Sequence, residues 1–494
     1  MPDTPVFSDQ PLDVLIVGAG LSGIGTAYWL QKRCPDKQFA ILEARQAIGG
    51  TWDLFRYPGI RSDSDMHTMG YSFKPWVHSK AISDGELIRT YIQQTAHENG
   101  LIAHIRFGHK VLEAAWSTPQ ACWTVTVEAV ASGTQHQLQC RFLYMCSGYY
   151  RYDEAHRPHF AGEADYLGQI VQPQFWPPDL AYTGKQVVVV GSGATAVTLV
   201  PTLAQTAAHV TMLQRSPTYI ATLPSEDAIA KQLRRVLPQR LAYGLTRWKN
   251  ILSGMLFFRI ARRFPAFFKQ LILKRVAKEL GSHQAVDPHF NPRYKPWDQR
   301  FCVVPDGDLF TAIREGRASV ITDEIERFTP DGLLLKSGQV VPASIVVLAT
   351  GLTLQLFGGM QLRVDGQLYE PNQLLVYKGM MLSDVPNLAL AFGYTNASWT
   401  LKTDLTATYV CRLLRYMDRR GYAIAVPRQQ DHVLRQPFLD FSSGYIERAK
   451  YVLPQQGSRR PWQVYQNYLL DLLTLRLGRL ADGVLTFSPK PVSP

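Results

Sequence analysis

Cysteine is scarce in this chain, six in 494 residues, and no two of them form a C-x-x-C pair. Cys34, Cys122, Cys140, Cys146, Cys302 and Cys411 show no metal-site spacing with the histidines, so no metal is expected. The missing close pair argues against a dithiol–disulfide reductase. Free thiols in a reducing cytoplasm are the expectation. The opening MPDTPVFSDQPLD carries neither a basic nor an apolar stretch, so no secretory signal is expected. Long apolar runs are rare as well. One uncharged stretch of membrane-spanning length, Ala343 to Leu362, is interrupted by Thr350-Gly351 and Gly358-Gly359, and reads as a buried strand and loop. Acidic residues are missing from Ala228 to Lys278, which holds thirteen Lys and Arg and accounts for the net charge of +12. Neither a Ser-His-Asp arrangement nor a nucleic-acid module is evident, and no nucleic-acid partner is expected.

What is present suits a soluble globular protein: 46% hydrophobic and 19% charged residues, over a length that predicts two or three packed units. DVLIV (13–17) reads as a strand buried on both faces, followed by the turn GAGLSG, a helix over IGTAYWLQKR and a strand FAILE (39–43). The pattern returns in QVVVV (186–190), GSGATA, VTLVPTLAQ and HVTML (209–213), and SIVVLATG (344–351) adds a further parallel strand. The expected class is α/β, with two Rossmann-like dinucleotide-binding domains and a helical insertion. Turn-rich SGYYRYDEAHRP (147–158) and WPPDLAYTGK (176–185) suggest boundaries. The expected division is 1–150 and 354–494 for the first unit, 151–224 and 300–353 for the second, and 225–299 for a basic helical insertion.

Gly18-x-Gly20-x-x-Gly23 follows a strand and opens a helix, the context in which such a loop turns tightly and lets a pyrophosphate approach the backbone. Glu43 ends the next strand, where a carboxylate accepts hydrogen bonds from a ribose diol and repels a 2′-phosphate. The second loop, Gly191-x-Gly193-x-x-Ala196, is answered instead by Gln214-Arg215-Ser216, a cation and a hydroxyl suited to a 2′-phosphate. Opposite ribose chemistry at the two loops predicts FAD at the first and NADPH at the second.

The run GGTWDLFRYPGIRSD (49–63) resembles the type I Baeyer–Villiger flavin monooxygenases through Gly50, Trp52, Tyr57, Pro58, Gly59 and Asp63. The likeness continues through GSGATAVTLVP, TMLQRSPTYI, PWDQR, LFGG, YKGMML and GYTNASWTLK, over nearly the whole chain. That resemblance implies FAD, NADPH and O2 as co-reactants, with a small lipophilic ketone or a sulfur-containing molecule as substrate. It puts Ser22, Glu43, Thr51, Trp52, Asp53, Leu54 and Val111 on FAD. Asp63 would lie near the flavin, with Arg61 and Ser62 close to the nicotinamide nucleotide. Gly191, Ser192, Gly193, Ala194, Thr195, Ala196 and Val197, with Arg215 and Ser216, would hold NADPH. Arg300, in PWDQR, matches the family's active-site arginine, oriented and charge-compensated by Asp63. A guanidinium that never gives up its proton suits that place, because it holds a developing anion without donating to it.

The sequence departs from the family at one fingerprint, where Phe and His are replaced by Tyr166 and Gln172 in Tyr166-x-Gly168-x-x-x-Gln172-x-x-x-Trp176. An amide keeps hydrogen bonding but does not titrate near neutrality, which bears on domain coupling. Gln299 also stands where a lysine often precedes the arginine, leaving more of the phosphate selectivity to Arg215. The runner-up activity is nitrogen or sulfur hydroxylation; a poorly active membrane-associated flavoprotein is the reading from outside catalysis. The basic insertion, where Arg234, Arg235, Arg262, Arg263, Lys274 and Arg275 alternate with Leu252, Phe257, Phe258, Phe264, Phe267 and Phe268, suits either a lid over the substrate or a peripheral contact with anionic membrane. The expected location is therefore the cytoplasm, including the inner face of the cell membrane.

Overall fold

The computed structural model describes residues 10–282, 286–299, 301–430, 432–439 and 444–491. Its first nucleotide unit begins with β1 (Leu12–Val17), α1 (Leu21–Arg33) and β2 (Phe39–Glu43). Val14, Leu15 and Ile16 are fully buried, which a strand covered on both faces requires. β1 pairs in parallel with β2 on one side and with Thr134–Met145 on the other. These strands belong to a nine-stranded sheet in which Ile105–Phe107 lies beyond β2, and an antiparallel meander (His109–Ser117, Cys122–Ala129, Thr134–Met145) extends the opposite side. Leu388–Leu390 returns late in the chain to pair in parallel with Thr134–Met145.

A second unit repeats the strand–turn–helix–strand pattern as β3 (Gln186–Val190), α2 (Ala194–Leu203) and β4 (His209–Gln214). Its sheet is parallel throughout, in the spatial order β5 (Ala318–Thr322), β4, β3, β6 (Ile345–Leu348) and the short strand Gln169–Val171. The order reverses beside β3, and in the first sheet beside β1. Each glycine loop therefore opens at a switch point, where strand ends diverge and leave a crevice. The uncharged run over 343–362 holds β6, a loop and a strand, Gln361–Val364. Among the described residues no helix is long and apolar enough to cross a membrane.

Between β4 and β5 the chain makes α3 (Ala228–Val236), α4 (Gln239–Arg263) and α5 (Pro265–Leu280), and then a short helix over Asp308–Arg314. Asp227 caps α3, Pro265 opens α5 and Gly281, at φ +73°, closes it. α4 is tied to the first unit by Arg247, a buried cation donating to the carbonyls of His67, Thr68 and Gly70 at 2.7–3.0 Å. Of the later helices, α6 (Trp399–Arg420) packs on α1, and α7 (Tyr468–Arg476) packs on α6.

Candidate active site

The two glycine loops have the same construction. Gly18 stands at φ +105°, and a side chain there would come within 2.6 Å of the Cys146 carbonyl oxygen at the end of the neighbouring strand. Gly191 stands at φ +139°, its added Cβ 2.3 Å from the Ala349 carbonyl oxygen, again at the neighbouring strand's end. Gly23 packs α1 against the turn, since a Cβ on it would meet the Gly18 carbonyl oxygen at 1.9 Å. By contrast Gly193 has open space around it, and Gly20 has only the Gly50 backbone, at 3.4 Å or more. The middle glycine of each loop is thus the place where a phosphate can approach the chain.

Over the first loop lies a cavity of about 650 Å³ lined by Gly18, Gly20, Ser22, Glu43, Thr51, Trp52, Leu54, Asp63 and Val111 among others. Glu43 is buried, its carboxylate accepting from the backbone N–H of Ala19 at 2.8 Å and of Arg45 at 2.9 Å. Burial raises its pKa despite these bonds. Ser22 accepts from the Trp399 indole N–H at 2.8 Å and keeps its own proton for a second partner. Open glycine, a buried acid at the ribose position and a long part-apolar cavity fit an FAD. Two of the expected residues lie off the lining: Gly23 is used in packing, and the buried Asp53 turns to Arg45 at 2.8 Å, Arg56 and Arg89 at 3.5 Å.

The second loop fits a phosphorylated nucleotide. Ser192 donates to the Ser216 carbonyl at 3.0 Å and meets Thr218 at 2.9 Å, joining the turn to the end of β4. Arg215 and Ser216 are exposed, and Arg215 forms no ion pair among the described residues. Ala196 and Val197 are buried against the sheet. The hydroxyl of buried Tyr57 bonds Thr195, and burial pushes its pKa up to about 12. Gly59, at φ +74°, is where the Tyr-Pro-Gly run touches α2: a Cβ there would fall 2.1 Å from the Thr202 hydroxyl. This motif therefore presses the first nucleotide unit onto the second.

Arg61 and Ser62 leave the first cavity. Arg61 pairs with Asp308, and Ser62 is buried with its hydroxyl accepting from the Ser83 N–H at 3.2 Å. Asp63 differs: it lines the 650 Å³ cavity and also a second one of about 1010 Å³. Leu252, Met255, Leu256, Phe257 and Phe258 of α4 wall the second cavity, with Trp297 and Phe301 near the expected arginine. Arg300 itself lies outside the described residues. Among those described, no group of His, Cys, Asp and Glu is placed to hold a metal ion.

The chain matches the flavin-binding monooxygenase-like family over residues 13–415. It is 52% identical over 484 residues to the FAD-containing monooxygenase EthA of Mycobacterium tuberculosis, covering 98% of this chain and 99% of that one. It therefore belongs to the flavin-binding monooxygenase-like family. A probable FAD-binding monooxygenase AlmA of Acinetobacter baylyi is 48% identical, with 98% and 97% covered. The fold resembles oxidized steroid monooxygenase bound to NADP, at a TM-score of 0.76 and 18% identity over 97% of this chain and 100% of that one. It also resembles the OTEMO complex with FAD and NADP, at 0.69 and 21%, with 85% and 86% covered.

In this flavin monooxygenase the junction of the two cavities contains residues to which sequence reasoning assigned no role. Tyr394 and Thr395 line both. The Tyr394 hydroxyl donates to Asp471 at 2.6 Å, and Asp471 pairs with Lys402 at 2.8 Å, all three buried. Thr395 donates through its N–H and hydroxyl to Gln466 at 3.0 and 3.1 Å. Tyr149 stacks on Trp399 with centroids 5.3 Å apart, and Tyr152 meets Thr51 at 3.4 Å. The first two stand in GYTNASWTLK and the last two in SGYYRYDEAHRP, where glycine beside clustered aromatics was the available signal.

Proposed function

We propose that this chain is an FAD-containing monooxygenase that consumes NADPH and inserts one atom of O2 beside the carbonyl of a lipophilic ketone, giving an ester. The observation that carries this reading is the opening of the nucleotide cavity, through Asp63, Tyr394 and Thr395, onto a larger cavity with an apolar wall. When bound, FAD carries the activated oxygen and NADPH supplies the electron pair, so that ketone, O2, NADPH and a proton become ester, NADP+ and water. The chain's residues do the rest. Glu43 holds the ribose diol, Arg215 and Ser216 take the 2′-phosphate, and Arg300, oriented by Asp63, holds the oxyanion that develops during oxygen insertion. Leu252, Leu256 and Phe257 give the substrate cavity its apolar wall. The same cavity admits thioethers and thioamides, whose sulfur is the alternative oxygen acceptor.

NADPH oxidation with and without a medium-chain ketone, followed by product identification, tests the reading. Ketone-dependent turnover with an ester product is expected. Arg300→Ala should keep FAD and lose ester formation; a normal ester yield from it excludes the role given to Arg300. Sulfoxide formation without ester would move the assignment to heteroatom oxidation.

The insertion also supports a peripheral contact with anionic membrane at the cytoplasmic side. Leu256, Phe264 and Phe267 are 59%, 54% and 63% exposed, beside exposed Arg262, Arg263, Lys274 and Arg275. A lid and a membrane contact coincide here, because α4 walls the substrate cavity while showing apolar groups outside. Sedimentation with anionic vesicles at low and high salt checks this. Absence of salt-sensitive pelleting leaves the insertion as a lid alone.

A further inference from the structure

On the side of the first unit formed by the end of α1, the C-terminal half of α6 and the chain after α7, a hollow of about 550 Å³ is lined by five arginines: Arg33, Arg412, Arg415, Arg419 and Arg479. Its lining shares no residue with either cavity of the active site and contains no Asp or Glu among the described residues. Arg412 has a structural task, donating to the carbonyl of Leu475 at 3.0 Å and to those of Arg476 and Gly478, which holds the end of α7 against α6. The other four make no ion pair among the described residues. Of the carboxylates close by in the chain, Asp418 is engaged with Lys37 at 2.7 Å, and Asp482 with Lys378 at 2.9 Å and the Tyr377 hydroxyl at 2.7 Å, while Asp36 is exposed and does not line the hollow. Arg415 and Arg419 stand one helical turn apart, the spacing at which like charges weaken a helix. A ligand lying between them relieves that repulsion.

We propose that this hollow is a second, non-catalytic site that binds a phosphate-bearing ligand. Guanidinium groups fit phosphate oxygens through paired N–H donors, and several of them around one hollow match a group carrying more than one negative charge. The volume is larger than a simple ion needs, and Tyr416, Leu480 and Ala481 in its wall accept an attached organic portion. A soluble polyphosphate and a phospholipid headgroup share this chemistry.

The FAD-loaded enzyme, with saturating NADP+ to fill the 2′-phosphate site, is titrated calorimetrically with inorganic tripolyphosphate and, separately, sedimented with phosphatidylglycerol or phosphatidylcholine vesicles. The double variant Arg415→Glu/Arg419→Glu is compared with Arg141→Glu/Lys490→Glu, an equal charge reversal elsewhere on the surface. Arg415→Gln/Arg419→Gln, with unchanged NADPH oxidation, controls for folding. Tripolyphosphate binding weakened at least about tenfold in the first double variant and not in the second supports a soluble ligand. Loss of phosphatidylglycerol binding alone, in the first variant only, supports a lipid headgroup. Absence of binding by both probes, or equal losses in the two double variants, overturns the proposal.

Discussion

Arg215 follows β4, is exposed and forms no ion pair among the described residues, so its charge is available to a nucleotide phosphate. Arg215→Ala removes a charge-assisted contact of about 1.5–3 kcal/mol, and the preference for NADPH over NADH should largely disappear. Steady-state kinetics with both nucleotides reads this directly; unchanged selectivity removes Arg215 from the site. At Tyr166 the hydroxyl that distinguishes it from the family's phenylalanine is buried and donates to the Ala343 carbonyl at 2.9 Å. A Cβ on Gly168 would fall 2.3 Å from that hydroxyl and 2.6 Å from the Ser344 carbonyl oxygen, so the two motif residues are packed as a unit. Tyr166→Phe should therefore destabilise the enzyme by about 1 kcal/mol in denaturant unfolding. Gln172 has a buried Nε2 without a partner among the described residues. Gln172→His should leave FAD bound and give the NADPH consumed per product a pH dependence at about 6–7, measured as a coupling ratio.

At the scale of an element, the insertion depends on the start of α3. Asp227 accepts from the Ala230 N–H at 3.0 Å and pairs with Lys249 of α4 at 2.5 Å, so one carboxylate caps one helix and pins the next. Burial pushes its pKa up, but Lys249 and the Ala230 N–H outweigh that and hold it below 3.8. Its folded pKa is depressed, so the stability it contributes is present above 3.8 and is lost as pH falls through the folded value. Asp227→Asn should be less stable than the parent above pH 4, and the gap should narrow in acid, as followed by thermal unfolding. A gap constant with pH removes the charge from the account. The motif run 49–63 is likewise an element with two tasks. Thr51, Trp52 and Leu54 line the cavity over the first glycine loop, while Asp53 is held among three arginines and Arg61 crosses to Asp308.

For the whole molecule, the consequential contact is the one between the two nucleotide units. Tyr57 and Phe55 are buried in the same apolar cluster as Val197 and Val200 of α2, and Gly59 permits the close approach. Gly59→Ala forces a side chain into a positive-φ position against Thr202 and should cost about 1–3 kcal/mol. Its more informative effect is on rate. FAD content should stay near normal while reduction by NADPH slows in stopped flow, because the second unit no longer seats in register. Unimpaired reduction would leave the contact a matter of stability alone.

The glycine loops, the acid at 43, the cation at 215 and the basic helical segment were legible in the sequence because each is local: a turn, a strand end or a periodicity states its own requirement. So was the family, through the run from Gly50 to Asp63. The contacts of each side chain within that run were not legible, since Asp53 pairs with Arg45, Arg61 with Asp308, and Ser62 accepts from Ser83, partners supplied only by the fold. Nor was the junction of the cavities, where residues 394, 402 and 471 meet through packing of α6 and α7. The arginine hollow is of the same kind, built from α1, α6 and the chain after α7. Local chemistry determined the two glycine loops and the residues that answer them; the approach of segments hundreds of residues apart decided how the two cavities come to share Asp63, Tyr394 and Thr395.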